Sequence, residues 1–228
     1  MAKKIWLVGI GMGNRDTLTI GAWNILKNCD CLIGAQRMLD AFPELTCRRF
    51  AATAPEKIAA YLQEHPEFQT IGVVFSGDVG FYSGAKKLRS LFPEHLIEEC
   101  CGISTVAYLC AKLHTPWEDV RLVSAHGQAC NLAGEVRTHE KVFVLAGKVS
   151  AQELCKALCR AGLGGVTVSV GERLSYPEEA ITTGPAERLS GQTFDPLSAL
   201  LIQNPAPLSN DTLAFGLPDE RFIRGNTP

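Results

Sequence analysis

The glycine run Gly9-Ile10-Gly11-Met12-Gly13 closes the first apolar stretch of the chain, Lys4 to Val8. Glycine lets a backbone turn tightly and approach a ligand with no Cβ between them. The carboxyl end of a strand in an α/β sheet is also where ligands bind. A dinucleotide loop of the G-x-G-x-x-G kind would need a glycine where Asn14 stands, and an acidic residue ending the second strand about 20 residues on. Gly34-Ala35-Gln36-Arg37 stands there instead, so a nicotinamide-dependent oxidoreductase is the weaker reading. Taken alone, the loop is equally well an ordinary strand-to-helix turn.

Three further constellations carry chemistry. Ser76-Gly77-Asp78-Val79-Gly80-Phe81-Tyr82 follows the most apolar run, Thr70–Phe75. A carboxylate there can pair with a cationic ligand or accept its hydrogen bonds, or cap the next helix. Cys101-Gly102-Ile103-Ser104-Thr105 sets two hydroxyls at a helix start, as a plain cap or as a donor site facing a cleft. Ser124-Ala125-His126-Gly127 ends a strand with a lone histidine, a residue type that is more often structural than functional. No Ser–His–Asp or Cys–His order compels a nucleophile, and neither a G-x-x-x-x-G-K-[ST] phosphate loop nor C-x-x-C is present. Cys155 and Cys159 are four apart and Cys100 and Cys101 adjacent, but no nearby histidine completes a zinc set. No metal site is expected.

Elements that position these turns are legible as alternating strand and helix patterns, which predict an α/β fold. Strands are expected at Lys4–Val8, Cys31–Ile33, Thr70–Phe75, Arg121–Ser124, Lys141–Leu145, Val166–Val170 and Leu197–Ile202. Helices are expected from Thr17 (as cap) to Lys27, Gln36 to Phe42, Pro55 to Glu64, Ser83 to Leu91, Ser104 to Leu113 and Ser150 to Arg160. His114 to Asp119 breaks the periodicity. The expected division is therefore a first α/β unit over 1–114, a second over 115–204, and an extended tail over 205–228.

At 228 residues and 46% hydrophobic, with no stretch long and apolar enough for a membrane span, the chain reads as soluble. Lys and Arg number 22 against 24 Asp and Glu, a net charge of −2, so the clustered basic excess of a nucleic-acid binder is missing. Nine cysteines, an odd number lying mostly in apolar runs, suggest buried thiols in a reducing compartment rather than disulfides. A cytoplasmic location is the expectation.

Together these spacings resemble a family. An early VGIGMG loop (Val8–Gly13), SGD-x-x-FY about 65 residues later and CGIST about 25 after that, on a two-unit α/β layout, are similar to the tetrapyrrole (corrin/porphyrin) methylases from about Lys4 to Ile202. Gly34-Ala35-Gln36-Arg37-Met38-Leu39, Ser124–Gly127 and Glu172–Glu179 resemble the branch that methylates precorrin-6Y or cobalt-precorrin-7 at C5, the CbiE type. Five positions depart from the family pattern. Met12 and Val79 stand where it has proline, Cys101 and Thr105 replace the ends of P-G-I-S-S, and Gln128 replaces the arginine of H-G-R. That last change removes a cation from a position that could meet a substrate carboxylate.

The resemblance implies a two-domain tetrapyrrole methylase fold (class III S-adenosylmethionine-dependent methyltransferase) with the active-site cleft between domains. It implies methyl transfer from the sulfonium of S-adenosyl-L-methionine to C5 of precorrin-6B or cobalt-precorrin-7 in cobalamin biosynthesis, leaving S-adenosyl-L-homocysteine. Other ring positions or other substrates of the family stay open. Alignment rather than a covalent nucleophile is what such a protein supplies, worth effective molarities of ~10⁵–10⁸ M. By resemblance, Gly9, Gly11, Met12, Ser76, Gly77, Asp78, Phe81, Ser104, Thr105, Ala146 and Leu174 hold the cofactor. Arg37 and Arg173 meet substrate carboxylates, and His126 moves the proton released on methylation. A homodimer is implied as well. The tail from Asp211 resembles the junction to a C15-methyltransferase and decarboxylase, so fusion to or pairing with such an enzyme is expected.

Overall fold

The computed structural model describes residues 3–125 and 131–208. Short apolar runs build two five-stranded sheets from successive parts of the chain. The first comprises β1 (Lys4–Gly9), β2 (Cys31–Gly34), β3 (Arg48–Ala51), β4 (Thr70–Phe75) and β5 (Ile97–Cys100), in spatial order β3-β2-β4-β1-β5, and every pairing is parallel. A parallel sheet is buried on both faces by its crossover helices. Accordingly Ile5, Leu7, Ile71 and Val73 pack on one side against α3 (Pro55–Glu64) and α4 (Ala85–Arg89). Val8 and Val74 pack on the other against α1 (Ile20–Leu26) and α2 (Gln36–Asp40).

In the second sheet are β6 (Arg121–Ser124), β7 (Lys141–Leu145), β8 (Thr167–Glu172), β9 (Ala180–Pro185) and β10 (Ser198–Gln203), in order β6-β7-β10-β8-β9. Only β6 and β7 are parallel; β10 runs antiparallel to both its neighbours. The amino end of β10 therefore lies beside the carboxyl ends of β7 and β8. The period of two in β10 is clean. Leu200 and Ile202 face a core with α6 (Leu132–Thr138), α7 (Ala151–Arg160) and α8 (Ala186–Leu189), while Ala199 and Leu201 face the first half of the chain.

What they meet there is α5 (Thr105–Lys112), whose Val106, Leu109 and Cys110 form one core with Met12, Phe143, Leu174, Ala199 and Leu201. Burying a leucine such as the fully buried Leu109 is worth ~1.5–3 kcal/mol, so this helix holds the two halves together.

Two local expectations change. Thr17 does not cap α1: it sits in a 3₁₀ turn, Arg15–Thr17, with its hydroxyl taken up by Asn14 and the Met12 N–H. Thr19 is the cap, accepting from the Ala22 N–H at 3.1 Å, and α1 begins at Ile20. The edge strands β3, β5 and β9, with helices α6 and α8, were not anticipated. The eight described cysteines are free, and burial pushes Cys29 up to about 12 and Cys155 up to about 11, so these two stay neutral thiols. Among the described residues, no helix is long and apolar enough to cross a membrane, and no cluster of His, Cys, Asp or Glu could hold a metal ion.

Candidate active site

Three loops at the carboxyl ends of β1, β4 and β5 are tied to one another rather than left open. Gly11 and Gly77, both at left-handed φ (+64° and +74°), exchange two backbone hydrogen bonds, Gly11 N–H to Gly77 O at 3.1 Å and the reverse at 2.6 Å. A Cβ on Gly102 would fall 2.2 Å from Gly77 O, and one on Gly9 only 2.7 Å from it. Here glycine permits backbone to approach backbone. Asp78 completes the tie, its Oδ2 accepting from the Gly102 N–H at 2.9 Å and its Oδ1 from the Gly80 N–H at 2.8 Å.

Beside this platform, between the two sheets, lies a cavity of about 380 Å³. That falls within the range of small-molecule and cofactor sites. The first half contributes Met12, Gly34, Arg37, Thr53, the last three residues of β4 with Ser76 after them, Phe81 and Thr105. The second half contributes Leu145 and Ala146 after β7, Gly171 and Leu174 around the end of β8, Tyr176, and Pro196–Ala199 leading into β10. Walls are mainly apolar, and Arg37 is the one charged lining residue among those described.

The rim is held shut by bonds between the halves. Arg37 Nη1 donates to Tyr176 Oη at 2.9 Å, Asn14 Nδ2 to Ser175 O at 2.9 Å, and Ser175 Oγ to Met12 O at 3.3 Å. Arg173 and Ser175 both hold left-handed φ (+44° and +69°), which turns the intervening Leu174 into the interface core. Such conformations cost of order 1–3 kcal/mol each in a non-glycine residue. Glu179 offsets part of that cost by accepting from the Ser175 N–H at 2.5 Å, from Tyr108 Oη at 2.7 Å and from Lys112 Nζ at 2.7 Å. Burial raises the Glu179 pKa, but the hydrogen bonds from Lys112, Tyr108 and Ser175 outweigh it, and the carboxyl titrates below its ordinary range.

The expected site residues thus divide. Met12, Ser76, Phe81, Thr105, Ala146, Leu174 and Arg37 line the cavity. Gly9, Gly11 and Gly77 do not; the space a Cβ would fill at Gly9 and Gly11 is taken by neighbouring backbone, while Gly77 has room for one beside Thr105 but holds a left-handed φ. Asp78 has spent both carboxylate oxygens on backbone donors, and Ser104 caps α5 by accepting from the Ala107 N–H at 3.4 Å. These two border a second, shallower groove with Ile103 and Trp117 instead. Arg173, expected to meet substrate, is already ion-paired, with Nε 2.6 Å from Asp195 Oδ2. His126 lies outside the described residues, as do Gln128 and the tail from 209 onward. Tyr176, Thr53 and Ser198 also line the cavity and were not anticipated. Tyr176 sits inside the Glu172–Glu179 segment already singled out, whereas nothing in the sequence marked Ser198.

A sequence model of the Tetrapyrrole (Corrin/Porphyrin) Methylases matches residues 4–190. The chain is 28% identical to a probable cobalt-precorrin-7 C(5)-methyltransferase of Methanocaldococcus jannaschii, over 87% of this chain and 97% of that protein. Among solved structures it is similar to the methyltransferase CobJ, with a TM-score of 0.73 at 19% identity, covering 90% of this chain and 95% of that one. The precorrin-6Y methylase (cbiE) of Archaeoglobus fulgidus gives 0.66 at 21%, covering 88% and 97%. The uroporphyrin-III C-methyl transferase of Thermus thermophilus, complexed with S-adenyl homocysteine, gives 0.73 at 18%, covering 88% and 92%. At these identities the structural likenesses establish the fold.

Proposed function

The chain belongs to the tetrapyrrole (corrin/porphyrin) methylases, and on that premise we propose that it transfers a methyl group from S-adenosyl-L-methionine to C5 of precorrin-6B or cobalt-precorrin-7 in cobalamin biosynthesis. The observation that carries the reading is the inter-sheet cavity, closed by Met12, Ser76, Phe81 and Thr105 on one side and Ala146 and Leu174 on the other. The choice of C5 and of the corrin precursor rests on the archaeal relative that aligns over 97% of its length.

The residues fit the cofactor in kind. A cavity of about 380 Å³ with apolar walls, a few hydroxyls and one cation suits a nucleoside carrying a short polar tail. The cofactor would supply an electrophilic methyl on a sulfonium, which needs no covalent nucleophile from the protein. What this chain's residues do is bind and align. Met12, Phe81, Ala146 and Leu174 give apolar contact and exclude water, Ser76 and Thr105 offer hydroxyls, and Arg37 offers a cation to a substrate carboxylate. His126 is proposed to take the proton lost on methylation. Asp78, Gly9, Gly11 and Gly77 act behind this layer by fixing the loops that carry Met12 and Ser76.

A homodimer, a cytoplasmic location, and pairing with or fusion to a C15-methyltransferase and decarboxylase complete the proposal. Calorimetric titration with S-adenosylhomocysteine and with NAD tests the cofactor. Binding of the homocysteine ligand without NAD is expected, and tight NAD binding with no response to the homocysteine ligand would restore the oxidoreductase reading.

A further inference from the structure

The second groove, of about 450 Å³, runs from the turn at 78–81 past the start of α5 to Trp117 and Leu122. Its two polar lining side chains are spent: both Asp78 oxygens accept backbone N–H groups, and Ser104 caps α5. What remains for an occupant is apolar. Ile103 is 38% exposed and Trp117 50%, while Tyr82, also 50% exposed, adjoins the groove by donating from Oη to Leu122 O at 3.1 Å. Three of the eight exposed large hydrophobics among the described residues therefore gather at one place, and a clustered patch of this kind marks a contact surface where scattered ones do not. Leu122 lies on β6, the edge strand of the second sheet, and exposed edges are commonly covered by further chain.

The chain leaves the described residues close to this groove. Leu208 donates its N–H to Arg137 O at 2.6 Å; Glu135, two residues before Arg137, accepts from Arg121 Nε at 2.9 Å; and Arg121 adjoins Leu122 in the groove wall. Further along, the sequence sets Leu213, Phe215 and Leu217 at a spacing of two, which puts all three on one side of an extended segment. Five to nine residues beyond Leu208 reach up to roughly 18–32 Å. We propose that the groove is the seat of residues 213–217 of this same chain, laid along the edge of β6 with Leu213, Phe215 and Leu217 covering Ile103, Trp117 and Leu122. A tethered segment meets its site at a roughly millimolar effective concentration, which a separate partner lacks. The seat brings the tail against the turn that carries Asp78 and the helix start that carries Ser104, and it holds whether or not the cofactor reading does.

The test places the photo-cross-linker p-benzoylphenylalanine at position 215 of the full chain, irradiates the purified protein at low micromolar concentration, and maps the products by gel and peptide mass spectrometry. Expected is a product of single-chain mass joining position 215 to the peptides that contain Ile103, Trp117 or Leu122. Adding Ile103→Asp, a change at an exposed position, should remove most of that product while the Tm stays close to that of the parent. A groove product of twice the chain mass would overturn the proposal in favour of a second copy. Cross-links confined to other peptides, no cross-link at all, or an undiminished yield with Ile103→Asp would each overturn the seat.

Discussion

Arg37 Nη1 lies 2.9 Å from Tyr176 Oη, joining α2 on the first sheet to the loop after β8 on the second, across 139 residues of sequence. Both residues line the cavity, so this bond spans its rim. A charge-assisted hydrogen bond between exposed partners adds little to global stability but holds two edges in register.

Tyr176→Phe therefore leaves Tm within a degree or two while speeding release of S-adenosylhomocysteine about three- to tenfold. Stopped-flow displacement measures the rate, and an unchanged off-rate would remove the pair from any gating role.

Asp78 supports the site from behind. Asp78→Ala strips the carboxylate from the Gly102 and Gly80 N–H groups and is expected to cost about 1.5–3 kcal/mol in urea denaturation. Cofactor affinity falls as a consequence of loop release. Gly102→Ala, whose Cβ would meet Gly77 O at 2.2 Å, should reach the upper end of the ~1–3 kcal/mol typical of overpacking. A variant of either kind with wild-type stability would show that the loops are not tied in this way.

Leu109 is fully buried where α5 meets Phe143 and Leu201. Leu109→Ala is expected to destabilise by about 2–5 kcal/mol. Because the cavity opens beside the same core, ligand affinity should drop too, which a truncation in the outer core, such as Leu158→Ala, would not produce.

Glu179 makes the inter-sheet contact pH-dependent. Its folded pKa is lowered, so its stabilisation is complete above the unfolded value of about 4.3 and is lost as pH falls through the folded pKa. Wild-type Tm should fall more steeply than that of Glu179→Gln below about pH 4. Parallel Tm curves would contradict the assignment.

Much of this was legible. Thr70–Phe75 announced a core strand because a central parallel strand is apolar on both faces. The unanticipated strands are edge strands: β3 carries Arg48 and Arg49, β5 carries Glu98 and Glu99, and β9 holds two threonines and a glycine. With one neighbour and one open side, an edge tolerates charge and loses the apolar signature. The site divided in the same way. Glycine spacing marked where backbones come close, but could not say whether the close partner is a ligand or another loop. At Gly9 and Gly11 the close partner is protein backbone. Ser198 was invisible because a single small polar residue in an apolar strand has no pattern.

The most direct test of the proposed activity is mass spectrometry of precorrin-6B and of cobalt-precorrin-7 after incubation with the protein and S-adenosyl-L-methionine carrying a ¹³C-labelled methyl group. The account predicts one added labelled methyl per macrocycle, located at C5 by NMR, with an equivalent of S-adenosyl-L-homocysteine formed. A macrocycle of unchanged mass in both incubations, or a labelled methyl at another ring carbon, would contradict it.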